Sequence, residues 1–102
     1  MKKIINGKMY NTETAKEIGH WWNNYSCRDF NYCKEFLYRK KTGEYFLYGE
    51  GGPASKYSQL CGQNCWSGGE EITPMTESDA KIWAEEHLTA DEYEEIFGEV
   101  EE

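Results

Sequence analysis

Residues 32–49 read Tyr32-Cys33-Lys34-Glu35-Phe36-Leu37-Tyr38-Arg39-Lys40-Lys41-Thr42-Gly43-Glu44-Tyr45-Phe46-Leu47-Tyr48-Gly49. Two runs of strong strand formers, Phe36-Leu37-Tyr38 and Tyr45-Phe46-Leu47-Tyr48, lie on either side of a short basic turn. Gly43 suits the left-handed position that a longer hairpin loop requires. The stretch predicts a central β-hairpin, and the elements around it decide what the hairpin packs against.

Upstream, Asn6-Gly7 between the apolar pairs Ile4-Ile5 and Met9-Tyr10 is a strong two-residue turn signal, because both turn residues accept positive φ. A first, smaller hairpin is expected there. Asn11 to Gly19 begins with a capping residue, contains good helix formers and stops at glycine, so it predicts one or two helical turns. His20-Trp21-Trp22-Asn23-Asn24-Tyr25 is compatible with a strand or an aromatic-rich loop.

Downstream, glycines at 49, 51, 52, 62, 68 and 69 mark tight turns or close backbone approach. Ser55 to Leu60 reads as one helical turn, and Glu70 to Thr73 as a last short strand ended by Pro74. The rear is helical. Thr76 with Asp79 forms a capping-box pattern, and Ala80, Trp83, Ala84, His87 and Leu88 recur on one face. Thr89 with Glu92 repeats the start signal, Tyr93, Ile96 and Phe97 form a second stripe, and Gly98 is the expected stop. The fold class predicted is α+β: one domain, residues 1–102, with an antiparallel sheet built on the central hairpin and two C-terminal α-helices packed on it.

Composition supports a single core. Eight Tyr, four Phe and four Trp among 102 residues supply bulky burial, each ring hiding about 150 to 250 Å². The chain is expected to fold without a metal, a disulfide or any cofactor. No apolar run approaches the roughly 20 residues that cross a bilayer, and the start lacks a signal-peptide stretch. The expectation is no membrane partner and a cytoplasmic location, in which Cys27, Cys33, Cys61 and Cys65 remain thiols. Their spacings fit paired zinc knuckles poorly, so burial as small hydrophobes is the preferred reading over zinc.

Charge divides the chain. Residues 1–60 carry ten Lys/Arg against six Asp/Glu, residues 61–102 one Lys against thirteen, and the net charge is −8. A basic, aromatic front and an acidic rear fit a partner with both basic and polyanionic surfaces, such as a ribonucleoprotein. The candidate RNA- or partner-binding residues are Arg39, Lys40 and Lys41, which neutralise phosphates, with Tyr38 and Tyr45, whose rings stack on unpaired bases. The competing reading is an ordinary charged hairpin tip. The helical acids Glu85, Glu86, Glu94 and Glu95 are a candidate acidic partner-binding face that mimics phosphate charge; plain solubility is the alternative. Strong binding to free duplex DNA is not expected, since these acids repel it within a Debye length of roughly 8 Å.

Catalysis has weaker support. Only two histidines, His20 and His87, are present, and His87 falls on an apolar helix face. Glu35, Glu44 and Glu50 are where an RNA-cutting site would be sought, although cross-strand ion pairing is the plainer use of Glu44. No catalytic or metal-binding residue is assigned.

Several segments carry a resemblance: Ile4-Ile5-Asn6-Gly7-Lys8, Asn11-Thr12-Glu13-Thr14-Ala15, Leu37-Tyr38-Arg39-Lys40 with Thr42-Gly43-Glu44, Gly49-Glu50-Gly51-Gly52 and Gly68-Gly69-Glu70. Together they resemble small plasmid- and phage-borne proteins of Gram-positive bacteria, some of them anti-CRISPR proteins acting on the type II-A effector nuclease. The resemblance spans nearly the whole chain and rests on turn and strand residues, with no catalytic signature. It implies a non-enzymatic inhibitor of a type II RNA-guided DNA nuclease in a bacterial host, with the nuclease or its guide RNA as partner and interference with guide RNA binding or ribonucleoprotein assembly as mechanism. That nuclease holds RNA in a positively charged channel. The alternatives are a metal-dependent ribonuclease that truncates guide RNA, and a mobile-element interaction protein unrelated to CRISPR.

Overall fold

Eight strands and two helices make up the computed structural model, which describes residues 1–102. In chain order they are β1 (Lys2–Ile5), β2 (Lys8–Asn11), β3 (Lys16–Trp22), β4 (Cys33–Arg39), β5 (Tyr45–Gly51), β6 (Gln59–Gly62), β7 (Cys65–Ser67), β8 (Gly69–Met75), α1 (Glu77–His87) and α2 (Ala90–Phe97). The architecture is α+β. An antiparallel sheet of order β3-β4-β5-β8 carries the helices, and β1-β2 and β6-β7 are separate two-stranded hairpins.

The central hairpin forms where its sequence places it, with Leu37 opposite Leu47 and Arg39 opposite Tyr45. Gly43 takes φ +94° and lets Lys40 N–H donate to the Glu44 carbonyl at 2.8 Å. Side chains alternate across a strand, so each strand feeds two cores. Leu37, Tyr45 and Leu47 meet Ala80, Trp83 and Ala84 of α1, with Ile18, Trp21, Leu88, Tyr93 and Phe97 around them. On the opposite face Phe46 and Ile72 are covered by Tyr10 of the first hairpin, whose turn residues Asn6 and Gly7 adopt φ 51° and 76°.

Both helix starts are capping boxes. Thr76 and Asp79, then Thr89 and Glu92, exchange side-chain and backbone hydrogen bonds, and Gly98 ends α2 at φ 91°. Each cap contributes about 1 kcal/mol. Only 15 of the 102 residues are buried, so single contacts weigh heavily in a balance of roughly 5–15 kcal/mol.

Four sequence expectations are corrected. Asn11 to Gly19 is not helical: Asn11 Oδ1 accepts the Glu13 N–H at 2.9 Å in an Asx turn, and Lys16–Trp22 then pairs with β4. Tertiary pairing outweighs local helix propensity there. Ser55 to Leu60 makes successive turns and enters β6 without a helix. Pro74 lies inside β8, opposite Phe46; β8 is an edge strand, where a missing N–H can face solvent. Finally, Cys61 and Cys65 are joined by a disulfide across the β6–β7 hairpin, while Cys27 is exposed and Cys33 buried as free thiols.

Candidate functional site

The β4–β5 turn gathers the basic residues that the sequence singles out and adds one that it does not. Thr14, Ala15, Lys16, Arg39, Lys40, Lys41 and Gly43 line an open groove of about 410 Å³ that contains no carboxylate. Lys16 sits directly opposite Arg39 in the β3–β4 register. Neither of these, nor Lys41, takes part in an ion pair. Like charges directly opposite on a sheet are destabilising unless an anion relieves them. Lys16 escapes a sequence reading because its segment carries a helical pattern.

Lys40 is less free. Its ammonium lies 4.2 Å from the Tyr10 ring centroid and 3.8 Å from Glu44, and its side chain is only 15% exposed. Glu44 also takes a 3.2 Å hydrogen bond from Lys8, which is the main cause holding its carboxyl below the usual range. Glu44 therefore pairs with the neighbouring hairpin as well as with its own turn.

The two candidate stacking rings lie on opposite faces of the sheet. Tyr45 is buried against Phe97, 5.9 Å between centroids, with the Arg39 guanidinium 5.6 Å from its ring. Tyr38 is half-buried and stacks on Phe46 at 5.1 Å. Only Tyr38 keeps accessible area on the outer face, and Tyr45 serves the core.

The acidic candidates are all exposed, yet they do not form one surface. Glu85 and Glu94 rim a cleft of about 320 Å³ between α1 and α2, floored by Ala84, Leu88, Ala90, Tyr93 and Val100. Glu86 borders a different groove, and its carboxylate lies 3.9 Å from His87.

That second groove contains the most polar part of the interior. Glu35 is fully buried in mid-β4. Its Oε1 accepts the Trp83 indole N–H at 3.1 Å; its Oε2 accepts the Tyr57 hydroxyl and a 2.7 Å bond from the Lys56 ammonium. His87 Nε2 stands 3.7 Å from Oε1, with its ring between Trp21 and Trp83 at 4.4 and 5.2 Å. Burial opposes ionisation of Glu35, and the bonds from Lys56, Tyr57 and Trp83 outweigh it, so its carboxyl is held below the usual range. Tyr57 is pushed far up by burial and by Glu35 and stays a phenol donor.

The backbone around Glu35 is built to accommodate this. The phenol end of Tyr57 packs against Gly49: a Cβ there would come 1.9 Å from its Cζ. The network joins sheet, α1 and the 52–58 loop through one carboxylate whose oxygens are all occupied. Chemically it is a structural tie. Glu35, Glu44 and Glu50, where an RNA-cutting site would first be sought, occupy the helix face, the hairpin tip and the outer face, and do not converge. Glu50 instead accepts from Tyr32 at 2.5 Å and Tyr48 at 3.0 Å, and Tyr48 also bonds Glu70 at 2.6 Å. No helix is long and apolar enough to cross a membrane. No family model, curated protein or solved structure matches this chain.

Proposed function

We propose that this chain is a non-enzymatic inhibitor of a type II RNA-guided DNA nuclease, an anti-CRISPR protein that interferes with guide RNA binding or ribonucleoprotein assembly in a bacterial host cell. The carrying observation is the carboxylate-free groove in which Lys16 faces Arg39 with Lys41 beside them. On a chain of net charge −8, three unpaired cations in one concavity fit a phosphate backbone. The family resemblance supplies the partner. The acidic rim of the α1–α2 cleft complements the basic channel in which such a nuclease holds its guide.

The test is order of addition. The chain is given to the nuclease before or after guide RNA, DNA cleavage is measured, and the recovered RNA is run on a denaturing gel. Inhibition confined to addition before the guide, with RNA of full length, is the expected result. Full cleavage in both orders refutes the reading; shortened RNA protected by a chelator replaces it with ribonuclease activity.

A further inference from the structure

The first hairpin covers only part of the outer sheet face. Tyr10, with Ile5 and Ala15, closes over Phe46 and Ile72 and reaches the edges of Tyr38 and Tyr48. Beyond it, His20 and Trp22 of β3 are exposed and Lys34 and Phe36 of β4 half-buried, and their register forms a small checkerboard: His20 is directly opposite Phe36, and Trp22 directly opposite Lys34. The His20, Phe36 and Tyr48 rings follow one another across three strands at centroid spacings of 6.3 and 6.1 Å, tilted only 31° and 33° from parallel. The His20 side chain is 68% exposed and Trp22 45% exposed. Trp22 is nevertheless fixed, because its indole N–H donates to the Tyr25 carbonyl at 2.7 Å. Lys34 enters no ion pair.

We infer that this open face binds unpaired nucleobases of a single-stranded nucleic acid, with His20, Trp22 and Phe36 offering ring faces and Lys34 meeting a phosphate. What the patch offers is π surface and one cation outside any ion pair, the Lys34 ammonium 5.8 Å from the Tyr32 ring centroid, with the Glu17 carboxylate 4.0 Å from His20 Nδ1 at its rim. Rings on an exposed sheet face, with a cation beside them, are a general solution for stacking splayed-out bases. Glu50 and Glu70 bound the site on the β5–β8 side, where Tyr32 and Tyr48 engage them, so a strand is directed along β3 and β4. A duplex hides its base faces and is not a ligand. This surface is distinct from the basic groove and goes beyond the inhibitor reading, since it requires no nuclease.

The experiment uses the full chain and fluorescently labelled ten-nucleotide adenine and uracil RNA, the thymine DNA counterpart, and a duplex of equal length, read by anisotropy. Expected are binding of the single strands, no binding of the duplex, and a salt slope that falls by about 0.7, the value for one neutralised phosphate, on Lys34→Ala. Phe36→Leu keeps apolar volume and removes the ring face; it and His20→Ala should each weaken binding about 5- to 100-fold. Lys81→Ala, on α1 where it pairs with Glu77, should leave it unchanged. Circular dichroism confirms that each variant is folded. Absence of single-strand binding by the parent chain, equal duplex binding, or a folded Phe36→Leu protein that binds like the parent would overturn the inference. A failed nuclease assay alongside intact oligonucleotide binding would remove the inhibitor reading and leave this site standing.

Discussion

Replacing Glu35 with Gln isolates the buried tie, because it preserves shape and removes only charge and one acceptor. The carboxylate receives hydrogen bonds from Lys56, Tyr57 and Trp83. If the new amide nitrogen takes the Oε1 position, it faces the Trp83 indole N–H, and two donors meet. If it takes the Oε2 position, Lys56 loses its acceptor and Tyr57 must turn. A buried donor left unpaired costs about 1–3 kcal/mol, and hydrogen bonds to a charged group are worth more than those to a neutral amide. Lys56 is 59% exposed and regains water, so its share is discounted to about 0–1 kcal/mol. The expected loss is about 2–4 kcal/mol, or roughly 10–25 °C in Tm for a domain of this size.

The same variant fixes the pH dependence. Glu35 has a folded pKa below its unfolded value, so its contribution is present above the unfolded carboxylate value of about 4.3 and lost as pH falls through the lower folded value. The stability gap between parent and Glu35→Gln should be widest near neutrality and close in acid. Urea titrations followed by circular dichroism and tryptophan fluorescence measure it as a midpoint shift at constant m. A variant within about 0.5 kcal/mol of the parent, the range of an ordinary surface substitution, would refute the network as a tie. A gap that does not change with pH would refute the charge assignment.

Other perturbations address neighbouring features. Gly49→Ala would drive a methyl to within 1.9 Å of Tyr57 Cζ, push the ring off Glu35 and cost about 2–5 kcal/mol by overpacking and a broken buried bond, read by the same urea titration. In a double variant with Glu35→Gln the two losses should fall short of additivity, since both break the same bond. Replacing Cys61 and Cys65 with Ser removes a short covalent loop worth about 2 kcal/mol locally. Its hairpin is a separate small sheet, so amide exchange over residues 59–67 should rise while the global Tm moves by only a few degrees. Arg39→Ala with Lys41→Ala should leave the fold intact and lower the salt slope of RNA-dependent binding by about 0.7 for each phosphate no longer neutralised. Reversing Glu85 and Glu94 to Lys at the rim of the interhelical cleft should abolish inhibition in cleavage assays, whereas reversing Glu95 alone should have a small effect.

How much of the fold is legible in the sequence depends on how local the deciding interaction is. The Asn6-Gly7 turn, the Lys40–Glu44 turn with Gly43, and both capping boxes are settled within four residues, and each stands where the pattern places it. Lys16–Trp22 misleads at its start because its strand state comes from pairing with Cys33–Arg39, many residues away. Pro74 misleads for a related reason: only the strand order shows that it occupies an edge. The disulfide runs against an expectation drawn from the compartment, which takes no account of the hairpin geometry that brings Cys61 to Cys65.

At the site, Arg39, Lys40 and Lys41 are visible as a run, while Lys16 requires the register. Parity withdraws Tyr45 from the stacking role: it shares a face with Leu47, directly opposite Leu37 in the core. The same count along β4 puts Glu35 between Cys33 and Leu37 on the inward face, which is the available sign of a buried acid. Its partners Lys56, Tyr57, Trp83 and His87 come from a loop and a helix that no period relates to β4.

Interference with guide RNA binding is measured at its source by the affinity of the nuclease for labelled guide RNA at increasing concentrations of this chain. The apparent Kd should rise with the concentration of the chain, and Arg39→Ala with Lys41→Ala should reduce the effect. A guide affinity that stays constant at saturating chain would contradict the inhibitor reading.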